Sequence, residues 1–92
     1  MGRLDRYIEL LAELVEHGMD AKTFEARFLQ LFKQDATMFP DEEFLVLDAL
    51  FGDVDMFEAD PELRDPDHLD EPALRASAAR SLVRLRELAA AG

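Results

Sequence analysis

Cysteine is absent from the 92 residues. That excludes a disulfide framework, a thiolate nucleophile and any cysteine-based zinc site, and it fits a reducing compartment. Positive charge is scarce: ten Lys and Arg stand against 21 Asp and Glu, a net charge of −11. Such a surface repels nucleic acid and anionic membranes, so direct binding to either is not expected and a partner should be basic. No segment approaches the roughly 20 apolar residues of a membrane span. The opening Met-Gly-Arg-Leu-Asp-Arg-Tyr alternates charged and apolar residues where a signal peptide would run apolar. A soluble cytoplasmic protein is the expectation. Catalytic signatures are missing as well. There is no GxSxG, Walker loop, HExxH or dinucleotide fingerprint, and no Ser with a plausible His partner. The chain reads as no enzyme, with no cofactor, no catalytic residue and no metal site.

What is present is unevenly placed. Residues 41–71 hold thirteen acids against the single base Arg64, a charge of −12, so the rest of the chain is nearly neutral. Over the same stretch Phe44, Leu47, Leu50, Phe51, Val54 and Phe57 recur at the spacing of one helix face. An anionic surface is thus built on the back of a core-forming element.

The spacing predicts four helices near residues 4–17, 20–34, 41–58 and 71–90. On the first, Leu4, Tyr7, Ile8, Leu11, Leu14 and Val15 share a face; Gly18 ends it in the left-handed conformation, and His17 suits the negative end of the dipole. Asp20 caps the second, whose buried stripe is Phe24, Phe28, Leu31 and Phe32. A Phe stripe with no Gly-rich turn beside it is core, not a cofactor box. The third starts at Pro40 and Asp41 and keeps its phase through Gly52 to about Glu58. The fourth is capped by Asp70 or Glu71 and buries Leu74, Ala78, Leu82, Leu85 and Leu88. Arg75, Arg80, Arg84 and Arg86 make it basic, so it should lie beside the acidic third helix and partly neutralise it. Short links make neighbours antiparallel. The expected fold is an all-α antiparallel four-helix bundle, a single domain over 1–92. Its core should contain Ile8, Leu11, Phe28, Phe32, Phe44, Leu47, Phe51, Leu82 and Leu85.

At 100° per residue Asp41, Asp48 and Asp55 fall within about 40° of one another on the flank of the third helix, with Gly52 beside them and Leu45 and Met56 next around. A carboxylate row beside apolar surface is what a basic partner with an apolar rim would want. Two bland readings stand beside it: the acids serve solubility, and Leu45 and Met56 touch a neighbouring helix. The loop over 59–69 holds two prolines and several Asp, with one helical turn at 61–64. It is no calcium loop. An EF-hand begun at Asp53 fails at Phe57, Glu58 and Arg64. His68 among Asp65, Asp67 and Asp70 reads as solvated.

Several stretches carry a family resemblance. They are Tyr7-Ile8-x-Leu10-Leu11, Phe24-x-x-x-Phe28-x-x-x-Phe32, and Leu47-Asp48-x-Leu50-Phe51-x-Asp53-Val54-Asp55-x-Phe57, followed by Asp60-Pro61-Glu62-Leu63-Arg64 and Asp70-Glu71-x-x-Leu74-Arg75. Their order, over most of the chain, resembles the colicin D immunity proteins and related bacterial toxin-immunity proteins. The resemblance implies a bundle that binds and blocks the basic nuclease domain of a cognate toxin, typically one that cleaves transfer RNA, with its acidic surface in the cleft meant for the RNA. On that reading the partner-binding residues are Asp48, Asp53, Asp55, Asp60 and Glu62, joined by Leu45 and Met56. The alternative is an acidic helical adaptor that pairs with a non-nuclease protein through Leu45, Met56 and the bundle surface.

Overall fold

The computed structural model describes residues 2–91, and among them lie four helices and no strand: α1 Asp5–Glu16, α2 Ala21–Gln34, α3 Asp41–Asp55 and α4 Glu71–Ala91. Local chemistry sets their ends. Gly18 takes φ 72° after α1, where a side chain would be strained. The Asp20 carboxylate accepts the Thr23 amide at 3.1 Å to cap α2. Asp70 accepts the Ala73 amide at 2.9 Å to cap α4. Asp41, Glu42 and Glu43 occupy the first turn of α3, at the positive end of its dipole.

The helices close an antiparallel four-helix bundle in which α1 and α3 each pack against both α2 and α4. Tyr7, Leu11 and Leu14 come inward from α1, Phe24 and Phe28 from α2, Leu47, Leu50 and Val54 from α3, and Leu74, Ala78, Leu82 and Leu85 from α4. Tyr7 joins the layers. Its ring meets Phe28 edge-on at 6.0 Å and Phe39 at 6.0 Å. Its hydroxyl donates to Asp35 at 2.8 Å. Burial, and then that bond, push the Tyr7 phenol well above its ordinary pKa. Burial pushes the Asp35 carboxyl up, but hydrogen bonds from Thr37 and Tyr7 outweigh it and hold Asp35 below its usual value. No helix among the described residues is long and apolar enough to cross a membrane.

Four expectations need correction. First, α3 is rotated. Its core row is Glu43, Leu47, Leu50 and Val54, while Phe44, expected in the core, is 45% exposed. The reason is Arg3, whose Nε donates to Glu43 at 2.6 Å and whose Nη2 forms a salt bridge to the same carboxylate. A covered carboxylate is tolerated when it is paired, and Arg3 supplies the pair from the far end of the sequence. Ile8, Phe32 and Phe51 are half-buried and pack against the core from its edge; Val15 is exposed.

Second, α3 ends at Asp55, not Glu58. Phe57 reaches the core from an isolated parallel bridge to Leu69 instead. The Glu58 amide donates to Leu69 at 3.0 Å, and the Leu69 amide to Met56 at 2.8 Å. Third, α4 lies beside α3 as expected, but among the described residues none of its arginines forms an ion pair with an acid of α3. Arg75 donates to the carbonyls of Leu14 at 2.7 Å and Met19 at 2.9 Å, satisfying the end of α1. Arg86 pairs with Glu16 of α1 at 3.0 Å. Fourth, Asp53 is not a free surface acid, as described next.

Candidate partner-binding face

The rotation of α3 that buries Glu43 fixes what faces outward. With Leu47, Leu50 and Val54 inside, Asp41, Leu45, Asp48, Gly52 and Asp55 are all exposed, and at 100° per residue they form one line along the centre of the solvent side. Leu45 is 66% exposed between two of the aspartates, so it does not touch a neighbouring helix in the manner of a core residue. Gly52 has no role inside the fold: a Cβ built there would meet nothing within 4 Å. A glycine on an exposed helical face costs about 1 kcal/mol against alanine, and here it leaves the backbone open to close approach.

The other expected residues divide. Met56 is half-buried at the C-cap of α3. Asp53 turns toward α4 and accepts a hydrogen bond from the Ser77 hydroxyl, so its carboxylate is partly spent within the fold. Asp60 and Glu62 lie exposed on the loop beyond α3, and Asp60 accepts the Glu62 amide at 3.0 Å. Arg64 folds this loop back, donating through Nε and Nη2 to the Glu58 carbonyl at 3.1 and 3.0 Å. Leu63 is left exposed at its tip. His68 is engaged as an acceptor, its Nδ1 taking the Asp65 amide at 2.9 Å. Among the described residues no three His, Asp or Glu side chains gather as metal ligands.

Sequence reasoning missed two features of this face. Phe44, expected in the core, is half-exposed on the α2 side of the aspartate line, and no local signal distinguishes it from a core residue. On the α4 side Leu45, Val46 and Ala49 form a shallow apolar groove of about 300 Å³ with Arg80, Ser81 and Arg84. The i, i+4 spacing of the two arginines was a usable signal for a basic row.

The acidity of this end acts back on the fold. Burial, and then the nearby Glu58 carboxylate, raise the Glu25 pKa above its ordinary value; Lys22 opposes the shift and Asp55 adds to it. A carboxyl whose folded pKa is raised costs stability when ionised, and the cost disappears as pH falls through that raised value. Glu25→Gln should therefore melt higher than the wild type near neutrality. The gain should shrink on acidification and be gone below about pH 4, where the free carboxyl is itself protonated. Paired thermal melts at the two pH values check this, and an equal gain at both would show that the carboxylate charge is not its source.

The fold is that of a small all-α bundle with an acidic outer face on α3. The chain belongs to the family of bacterial self-protective colicin-like immunity proteins, whose model matches residues 3–85. No curated protein and no solved structure matches it. Its role is toxin immunity, which entails binding a cognate toxin, and the family is one of inhibitors, not enzymes. The resemblance read from the sequence is the family that the comparison finds.

Proposed function

We propose that the cognate toxin is a nuclease, of the transfer-RNA-cleaving kind, and that this protein blocks it in the cytoplasm by acidic mimicry of the substrate, residues 1–92 acting as one binding unit. The observation that carries the reading is the exposed line Asp41, Asp48 and Asp55, continued by Asp60 and Glu62 on the loop. Residues two turns apart on a helix are separated by about 10 Å, so the line offers negative charges at intervals that a basic, phosphate-binding cleft can meet. Leu45 and Gly52 lie between the charges and supply an apolar contact and a close approach, while Met56 borders them. Asp53 contributes to the field more than to direct contact, because Ser77 holds it.

Asp48→Asn with Asp55→Asn keeps shape and leaves the core row untouched. Association with the toxin should slow by about tenfold or more at low salt, and the salt dependence of the rate should flatten, because steering by exposed charges is screened beyond about 8 Å at physiological ionic strength. Stopped-flow association and toxin inhibition across a salt series measure both, with the melting temperature as a control on folding. Unchanged rates with an unchanged salt slope would remove mimicry by this face and leave apolar pairing through Leu45, the adaptor mode, as the better account of binding.

A further inference from the structure

Arg80 and Arg84 are two charges of α4 that the fold itself does not use in an ion pair. Both are exposed on α4, one turn apart, at the edge of the groove formed with Leu45, Val46 and Ala49. Among the described residues neither makes an ion pair, although the protein carries 21 acids. Arg3, Arg75 and Arg86 all find carboxylates. A basic nuclease cleft would repel the pair, so the partner proposed above does not account for them.

Read across from α3 to α4, the surface runs from the line of Asp48 and Asp55, through Leu45 and the apolar groove, to Arg80 and Arg84. Acid on one edge, base on the other and apolar surface between them make the face complementary to itself. A two-fold axis laid along the groove sets α3 of one copy over α4 of the other, so that each aspartate line meets the other copy's arginines and the two contacts are identical. We propose that this face is a homodimer interface in which Asp48 and Asp55 of each copy pair with Arg80 and Arg84 of the other across Leu45, Val46 and Ala49. The net charge of −11 on each copy opposes the encounter, which makes the dimer weak and dependent on concentration. Because it covers the aspartate line, the dimer and a toxin bound there exclude each other; the dimer itself does not depend on what the toxin is.

The test uses this chain alone, by sedimentation velocity near physiological salt. The wild type should pass from monomer to dimer between about 10 µM and about 1 mM. Arg80→Glu with Arg84→Glu should stay monomeric, and so should Asp48→Lys with Asp55→Lys, since in each variant like charges would face each other. Mixing the two variants restores opposite charges at both contacts and should restore the dimer. All four substituted positions are exposed, so thermal melts of both variants should stay close to that of the wild type. A wild type that remains monomeric to about 1 mM, a dimer that survives either double reversal, or a mixture that fails to pair would each overturn the proposal.

Discussion

Phe28→Ala should cost about 3–5 kcal/mol, a large part of the roughly 5–15 kcal/mol that a domain of this size has in total. Phe28 is fully buried. It stacks between Phe24 at 5.9 Å and Phe32 at 5.7 Å and takes the edge of Tyr7 at 6.0 Å, so its removal opens a cavity bounded by three rings that belong to two helices. Those rings are held in turn by the Tyr7 hydroxyl bond to Asp35, which limits how far the site can collapse. Urea denaturation should show a lower midpoint with the slope retained. Phe51→Ala is the informative comparison. Periodicity alone ranks it with Phe28, but Phe51 is half-buried and meets Phe32 from the edge of the core at 5.3 Å, so its loss should cost about half as much. Equal costs would mean that the core is centred nearer α3 than described.

The largest functional effect is expected from charge reversal on α3. On the proposed mode of binding, Asp48→Lys with Asp55→Lys would place two cations opposite those of the toxin's cleft. Each reversed contact loses an attraction and adds a repulsion, so toxin affinity should fall by about a thousandfold, or about 4 kcal/mol, and protection of cells carrying the toxin should be lost. Both residues are exposed and lie opposite the core row of α3, so melting should change little. Arg80→Glu with Arg84→Glu is the matched control: it reverses the same number of charges on the adjacent helix and should leave protection in place. Survival of toxin-expressing cells, together with the affinity of the purified proteins, reads both variants. Protection retained by the aspartate reversal would place the toxin contact elsewhere on the bundle.

Much of the architecture was legible because its signals are local. Gly18 and the Asp20 and Asp70 caps act within a few residues of themselves, and the apolar stripes of α2 and α4 have no competing phase. The errors gather on α3, and each has a cause outside the helix. A row through Glu43, Leu47, Leu50 and Val54 follows the same alternation of threes and fours as one through Phe44, Leu47, Phe51 and Val54; the pairing of Glu43 with Arg3, forty residues earlier, favours the first. The end of α3 was misread because Phe57 keeps helical phase, yet it is seated by Leu69, which lies beyond the loop. Asp53 resembles its neighbours in sequence but is drawn inward by Ser77. The acidic face itself was visible in the sequence because charge was segregated onto 41–71, whereas the position of the line at the centre of the solvent side follows from the rotation.

The bridge between Phe57 and Leu69 has a consequence for how such a protein can change. By fastening the chain just after α3 to the chain just before α4, it holds the two ends of the acidic loop together independently of what lies between them. The segment from Asp60 to Asp67 is exposed for most of its length, and it is tied back through Glu58, whose carbonyl accepts from Arg64 and whose carboxylate accepts the Asp60 amide at 3.1 Å. Sequence there can be lengthened, shortened or exchanged at small entropic cost without moving either helix. The bundle behaves as a fixed mount and the loop as an exchangeable insert, so if the loop joins the proposed contact, recognition could drift toward a new toxin while the core stays as it is.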